Sequence, residues 1–145
     1  MASLELLSKS LGELELIQKE EFNAEYEGAI VRRIEDQLDI RSRRAKLTPK
    51  KAGYFVAFWE KDANNKNQPF KVAEAPDKLA IVVIDGDKQG YFLFGKETAA
   101  LKQIYSSGQT KGKMAMRFYP DWCTELNATA KKTQAWQTKY FVNLS

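Results

Sequence analysis

The apolar residues at the start of the chain recur with helical spacing. Leu4, Leu7, Leu11 and Leu14 follow one another at intervals of three or four residues, with glutamates on the opposite face. This pattern is typical of an amphipathic helix that packs its apolar face on a sheet. It predicts one helix over residues 3–20.

Two strand hairpins are predicted further along the chain. Segments 26–34 and 38–46 have strand character and are separated by a short polar turn. The apolar run at 79–84 is turned by the sequence DGDKQG into a second strand at 91–94. The sequence LAIVVI in that run is apolar on both faces of the pleat, which indicates the middle of a sheet.

The remaining segments predict further strands, loops and helices. They are an apolar strand at 53–59, a polar loop at 62–68, a helix at 96–105, a basic-tipped loop at 106–113, a strand at 113–119, a helix at 127–138, and either the end of that helix or a short strand at 140–144. The order predicts an α/β (α+β) fold in which helices flank a mixed central β-sheet. A length of 145 residues fits a single domain, 1–145.

Composition restricts the chemistry that the chain can perform. It has no histidine and one cysteine, Cys123, which excludes serine–histidine and cysteine–histidine catalysis, histidine-ligated zinc and an intrachain disulfide. Any catalysis would have to use carboxylates, lysines or hydroxyls, and a divalent metal is the expected addition to them. There is no run of about 18 apolar residues and no signal-peptide pattern, so we expect a cytoplasmic protein without a membrane partner.

Charge is divided unevenly along the chain. Residues 1–40 carry ten carboxylates and four cations, although the net charge of the whole chain is +4. Six cations occur at 41–51 without a carboxylate, directly before an apolar strand. Alternation along the second strand of the first hairpin places Arg41 and Arg43 on one face and apolar residues on the other. This patch favours a surface for polyanions, and a solvated basic face is the alternative.

Nine residues are predicted to contact the phosphates of a bound nucleic acid. Phosphate contacts by lysine and arginine give sequence-independent affinity that falls steeply with salt. The loop around Thr48 can add backbone amides to such a site. The nine residues are Arg41, Arg43, Arg44, Lys46, Thr48, Lys50, Lys51, Lys111 and Lys113.

Aromatic residues near the C-terminus are candidates for stacking on bases. Core packing is the favoured interpretation for most of them, because their sequence blocks have the apolar spacing of buried elements. Trp122, which follows Pro120, is the expected exception. The candidates are Tyr119, Trp122, Trp136, Tyr140 and Phe141.

Three sequence blocks resemble one family. RSRRAKLTPKKAGYFVAFWEK at 41–61, GKMAMRFYPDW at 112–122 and TQAWQTKYF at 133–141 are similar to the MepB family of small cytoplasmic bacterial proteins, named for a gene beside a multidrug efflux pump. The resemblance spans most of residues 20–143. It implies a fold similar to the PD-(D/E)xK restriction-endonuclease fold and the binding of nucleic acid, with DNA as the expected partner.

The nuclease pattern of that fold is only partly present. Phosphodiester cleavage needs converging carboxylates around a divalent ion such as Mg²⁺, and a nearby lysine. The resemblance would take a helix-end carboxylate from Glu21 or Glu25 and the hairpin aspartate from Asp39. The next strand ends in adjacent Glu60 and Lys61, not in Glu-x-Lys. Adjacent strand residues point to opposite faces, so a degenerate site that binds no metal and does not cleave is favoured.

Three functions follow from these observations. The favoured one is a non-catalytic DNA-binding module that needs no cofactor. The second is a Mg²⁺-dependent nuclease with an atypical site formed by Glu25, Asp39, Glu60 and Lys61. The third is an accessory protein of drug efflux that binds a protein partner or a cationic compound through acidic residues 13–27.

Overall fold

The structure is a computed structural model that describes residues 1–145. The helices are α1 (Ala2–Leu11), α2 (Lys96–Leu101) and α3 (Ala128–Gln137), and short 3₁₀ segments lie at Glu21–Tyr26, Val72–Glu74 and Thr138–Tyr140. The strands are β1 (Leu14–Lys19), β2 (Ala29–Arg33), β3 (Leu38–Arg44), β4 (Lys46–Leu47), β5 (Tyr54–Ala57), β6 (Trp59–Lys61), β7 (Asn67–Pro69), β8 (Lys78–Asp85), β9 (Lys88–Gly95), β10 (Ala115–Phe118) and β11 (Phe141–Asn143).

A six-stranded mixed sheet with the order β1-β2-β3-β8-β9-β11 forms the centre of the fold. Its neighbouring strands are antiparallel except β3 and β8, which are parallel and pair Arg41 with Leu79 and Arg43 with Ile81. The two predicted hairpins are the β2–β3 and β8–β9 pairs. Strand β8 lies inside the sheet, as its two-sided apolar sequence predicts. The predicted mixed central sheet flanked by helices is confirmed.

The two faces of this sheet pack against different partners. Helix α1 covers one face, where Leu6 and Leu7 join a buried cluster with Val31 and Ile40. The opposite face contributes Phe92 and other residues to the larger core, which it shares with the second sheet. The residues of β3 that alternate with Ile40, among them Arg41 and Arg43, therefore face an occupied interior.

A three-stranded sheet, β10-β5-β4, and the β6–β7 hairpin form the second layer. The predicted apolar strand at 53–59 divides into β5, which pairs with β4 and β10, and β6, which pairs with β7. Between them, the amide of Phe58 donates to the Met114 carbonyl at 2.9 Å. Strand β5 is the middle of the smaller sheet and not of the central one. Val56 and Phe58 are fully buried between the two layers.

The predicted N-terminal helix is too long. Helix α1 ends at Leu11, since Gly12 adopts φ 94°, and the residues beyond it form β1, which pairs with β2. The sequence ELEL at 13–16 fits the period of a strand as well as a helical stripe, and the unpaired edge of β2 selects the strand. The prediction of one helix over 3–20 is wrong in its second half.

The C-terminal elements agree more closely with the sequence. Strand β10, helix α3 and the short final strand β11 lie where they are predicted. Helix α2 ends at Leu101 instead of Tyr105, because Gln103 has φ 60°, a left-handed conformation that does not continue a helix. None of the helices combines the length and apolar character that a membrane crossing requires.

Candidate functional site

The arginines of strand β3 are buried in an ion-pair cluster. Arg41 donates two hydrogen bonds to the Glu20 carboxylate at 2.9 and 3.1 Å, and Arg43 donates a third at 2.8 Å. Arg43 has no exposed surface and also donates twice to Oδ1 of Asn23, at 3.0 and 2.8 Å. Arg41 lies 3.7 Å from the ring centroid of Phe70, which is itself buried in the core. These side chains hold the 3₁₀ segment Glu21–Tyr26 on the sheet.

The cluster contains more positive than negative charge. Two guanidinium groups meet one carboxylate, Glu20, in a buried environment. Burial would raise the pKa of Glu20, but Arg43 and Arg41 outweigh burial and hold that pKa below its usual value. Burial lowers the pKa of Arg43, and it raises the pKa of the neighbouring Tyr105 to about 12. The Tyr105 hydroxyl has no hydrogen-bond partner in the protein. Because Glu20 is the carboxylate partner of both buried guanidinium groups, the structure depends on an ionised Glu20.

The next two cations of the chain are paired as well. Arg44 donates to Glu27 at 2.9 Å, and Glu27 also accepts hydrogen bonds from the backbone and hydroxyl of Ser3, so it joins α1 to β3. Lys46 donates to Glu25 at 3.0 Å. Every cation between 41 and 46 thus has a carboxylate partner within residues 20–27. Much of the predicted acidic surface at 13–27 is used for the same pairs.

A different group of cations lies in a groove between α3, β10 and the loop before β5. One cavity of about 500 Å³ is lined by Lys50, Lys51, Arg117 and Tyr119, among others. A second cavity of about 220 Å³ shares Arg117 and Tyr119 and is lined further by Lys102, Lys113 and Trp136. The two cavities share Arg117 and Tyr119 and are therefore adjacent, and we describe them together as one groove. We name it the basic groove, and its cations are Lys50, Lys51, Lys102, Lys113 and Arg117.

The cations of the basic groove have no acidic partners. The ion pairs of the protein all involve residues 20–46, so none of the five makes a salt bridge. The guanidinium of Arg117 donates to the Ala52 carbonyl at 3.2 Å and lies 5.7 Å from the Phe55 ring centroid. Lys102 lies 5.1 Å from the ring centroid of Trp136. Glu125 is the one carboxylate among the residues that line the groove.

Two glutamines of α3 fix the floor of the groove. Gln137 is fully buried, and its side-chain amide accepts a hydrogen bond from the Tyr119 amide and donates one to the Arg117 carbonyl, both at 2.9 Å. Gln137 thereby makes the hydrogen bonds that a neighbouring strand would make at the free edge of β10. Gln134 donates to the carbonyls of Pro120 and Cys123 at 2.9 and 3.0 Å. The backbone that carries Arg117 and Tyr119 is thereby held against α3.

Backbone contacts also position the lysines at both ends of the groove. The amide of Lys113 donates to the Gln103 carbonyl at 3.0 Å, which brings Lys113 beside the end of α2 and Lys102. At the other end, Gly53 adopts φ 80° and has room for Tyr119 only because it lacks a side chain, since a Cβ there would lie 2.6 Å from the tyrosine ring. This contact holds the loop with Lys50 and Lys51 against β10.

The predicted phosphate-binding residues therefore fall into separate groups. Lys50, Lys51 and Lys113 line the basic groove, and Lys111 is exposed in the loop before it. Thr48 has a buried hydroxyl without a hydrogen-bond partner. The remaining four are paired with carboxylates, and they are Arg41, Arg43, Arg44 and Lys46.

Two groove cations are absent from the sequence-based set. Arg117 stands alone between Met116 and Phe118, and Lys102 directly follows the short helix α2, so neither belongs to a cluster of charge in the sequence. The alternation of β10 is the signal that points to Arg117. It buries Phe118 and leaves its neighbour Arg117 half-exposed on the other face.

The candidate nuclease residues each have a separate contact. Asp39 accepts two hydrogen bonds from Arg32, at 2.7 and 3.1 Å, and the hydrogen bonding with Arg32 holds the pKa of Asp39 below its usual value. Glu60 accepts from Gln68 at 2.9 Å, while Lys61 lies 5.3 Å from the ring centroid of Trp59. Glu25 is paired with Lys46, and Glu21 is exposed. No group of three or more carboxylate, cysteine or histidine side chains is placed to hold a metal ion.

These observations define an α+β protein with a mixed six-stranded sheet, a buried arginine cluster and an exposed basic groove. Residues 20–143 match the model of the family described as MepB-like. The chain belongs to the MepB-like family. A solved structure titled "Crystal Structure of MepB" is 44% identical to it, with a TM-score of 0.88, and the match covers 100% of this chain and 98% of that chain. No curated protein matches the sequence.

Proposed function

We propose that this MepB-like protein binds nucleic acid, and DNA in particular, through the basic groove, without cleaving it. The observation that carries the proposal is a row of five cations that line one groove and have no salt-bridge partner. Cations that the protein does not neutralise bind phosphates by releasing counterions from the nucleic acid. The paired arginines of β3 would first have to break their contacts with Glu20.

The distribution of charge between the two parts of the chain supports this placement. Residues 1–46 carry eight lysines and arginines and ten carboxylates, whereas residues 47–145 carry 15 and nine. The excess positive charge of the protein therefore belongs to the part that forms the groove. A local excess of one sign also accelerates the encounter with a polyanion.

The PD-(D/E)xK type of fold and the absence of cleavage are parts of the same proposal. The order of a helix, an antiparallel hairpin with Asp39 on β3, and the later strand β6 with Glu60 and Lys61 supports the fold type. The bidentate contact of Asp39 with Arg32 supports a non-cleaving site, since that carboxylate is already neutralised.

The unpaired thiol of Cys123 is compatible with a place in the cytoplasm.

Binding of a fluorescent duplex and a fluorescent single strand across a salt series tests the proposal. The variant is Lys50→Glu with Lys51→Glu, and the matched control is Lys19→Glu with Lys66→Glu, which removes the same charge from exposed lysines outside the groove. We expect the groove variant to lose about two units of the slope of log Kd against log salt, because each phosphate contact contributes about 0.9.

The control variant should keep the wild-type slope, and its affinity should fall only slightly because its net charge is lower. Equal losses in the two variants would show that net charge, and not the groove, determines binding. No binding of the wild-type protein at low salt would overturn the proposal. Cleavage of either probe in Mg²⁺ would overturn its non-catalytic part.

A further inference from the structure

The aromatic rings at the basic groove are already packed within the protein. Trp136 lies between Phe94, at 5.9 Å between ring centroids, and the ammonium group of Lys102, at 5.1 Å. The ring of Tyr119 lies directly on Gly53, where no side chain would fit. Stacking of a base requires a free aromatic face. Both rings are therefore already engaged in packing contacts within the protein.

The other aromatic candidates are packed away from the groove. Trp122 donates from its indole to the Tyr54 hydroxyl at 2.9 Å and meets Phe141 edge to face at 5.5 Å. Tyr140 lies 5.3 Å from Phe94. The expected exception, Trp122, is partly buried and packs against the core, as Trp136, Tyr140 and Phe141 do. The aromatic candidates are thus engaged in packing contacts, whereas the cations of the groove have no salt-bridge partner.

The cations, in contrast, are arranged in a sequence along the groove. Lys50 and Lys51 line one cavity, Lys102 and Lys113 line the other, and Arg117 lines both. Arg117 therefore lies between the two lysine pairs. Its guanidinium is held by the Ala52 carbonyl and the Phe55 ring, which leaves donor groups free in a fixed orientation. A guanidinium in a fixed orientation suits the two-oxygen geometry of a phosphate.

We infer that the basic groove recognises the sugar–phosphate backbone of one strand, with Arg117 as the central phosphate contact, and does not read the bases. This inference rests on the proposed binding of nucleic acid and specifies what part of the ligand is recognised. Lys50 and Lys51 contact phosphates on one side of Arg117, and Lys102 and Lys113 contact phosphates on the other. Paired and unpaired strands are both ligands, because each presents a backbone.

Removal of the bases tests the inference directly. Three labelled strands of equal length are compared at the same salt: an oligothymidylate, a strand of mixed sequence, and a strand made of abasic tetrahydrofuran sites. We expect their Kd values to agree within about threefold and their salt slopes to be equal, since electrostatic binding is independent of sequence. A stacked base would instead contribute about fivefold or more each.

The outcomes separate this inference from the proposed function. Stacking predicts that the abasic strand binds about tenfold or more weakly than the oligothymidylate. That result would overturn the inference and leave nucleic-acid binding intact. Failure of all three strands to bind at low salt would overturn both.

A second variant tests the place of Arg117. In Arg117→Gln, we expect the salt slope to fall by about one unit for all three strands, since one phosphate contact is lost. Arg117→Lys should keep the slope but weaken binding, because it keeps the charge and loses the fork of donors. Thermal unfolding of both variants separates loss of binding from loss of folding. An unchanged slope in a folded Arg117→Gln protein would exclude Arg117 from the contact.

Discussion

Two groups of cations in this protein have opposite environments. The arginines of β3 are dense in the sequence, but Arg41 and Arg43 are buried and bonded to Glu20. The groove cations are scattered in the sequence from Lys50 to Arg117, yet the fold gathers them without acidic partners. Density of charge along the chain therefore does not indicate which cations are available. What decides availability is whether a carboxylate is folded against them.

The same residue type thus has two physical roles. In the β3 cluster, guanidinium groups bind one carboxylate and an asparagine, and they attach the 3₁₀ segment Glu21–Tyr26 to the central sheet. In the groove, a guanidinium binds only a carbonyl and a ring, and its charge remains available to a ligand. The first role contributes to stability, and the second leaves charge available for the binding that we propose. Substitutions can separate them.

The largest effect is expected from Glu20→Gln. The variant leaves Arg41 and Arg43 buried without a negative charge, and removal of one partner of a buried ion pair typically costs about 3–5 kcal/mol. We expect the free energy of unfolding in urea to fall by that amount. Glu21→Gln, at the exposed neighbouring position, is the control and should change it by less than about 0.5 kcal/mol. Equal stability of Glu20→Gln and the wild type would contradict the structural role of the cluster.

The stabilising effect of Glu20 should also depend on pH. Its pKa is lower in the folded protein than the ordinary value of 4.5, so its contribution is fully present above pH 4.5 and is lost as pH falls through the lower folded pKa. The difference in unfolding free energy between the wild type and Glu20→Gln should therefore be constant near neutral pH and shrink below 4.5. Urea unfolding of both proteins over an acidic pH series measures it. A difference that stays constant in acid would argue against an ionised Glu20.

A smaller effect is expected when the groove is loosened from within. Gln137→Leu removes the partners of the Tyr119 amide and the Arg117 carbonyl, and an unsatisfied buried polar group costs about 1–3 kcal/mol. We expect a matching loss in unfolding free energy and weaker binding of a nucleic-acid probe at fixed salt. Gln137→Glu places a carboxylate in a fully buried site opposite the Arg117 carbonyl oxygen, so it should lower stability at least as much as Gln137→Leu. Stability equal to the wild type in Gln137→Leu would show that these bonds do not hold β10.

The smallest effect is expected at the exposed end of the arginine cluster. Lys46 and Glu25 form a solvent-exposed pair, and such pairs contribute about 0–1 kcal/mol. Lys46→Gln should therefore change stability little, and it should leave the salt slope of binding nearly unchanged. Lys50→Gln, which removes an unpaired groove cation, should lower that slope by about one unit. If Lys46→Gln lowers the slope as much as Lys50→Gln does, the distinction between paired and unpaired cations fails for binding.

Much of the fold follows from local patterns in the sequence. The β2–β3 and β8–β9 hairpins are set by apolar runs and polar turns, and alternation correctly separates Ile40 from Arg41 on β3. The sequence ELEL at 13–16 is ambiguous between two periods, and only the free edge of β2 decides that it is a strand. Long-range pairing resolves what local pattern leaves open.

The site is less accessible to such reasoning. Glu20, Asn23 and Phe70 contact the β3 arginines. These three residues are remote from β3 in the sequence, and no sequence pattern links them to it. The groove likewise draws single cations from several segments. Among its members, the sequence indicates Lys50, Lys51 and Lys113 because they lie in basic stretches. Arg117 is isolated, and only the fold brings it between them.

The parallel pairing of β3 with β8 also has a consequence for how the chain folds. The segment 45–77 between these strands holds β4 to β7, so the central sheet is complete only when this long connection has brought β8 beside β3. Contacts between residues so far apart in sequence slow folding more than they reduce stability. Doubling the length of such a loop costs only about 0.6 kcal/mol in closure entropy. A longer turn between β6 and β7 should therefore lower the stability of the protein only slightly. It should slow folding, because the β3–β8 pair would take longer to form.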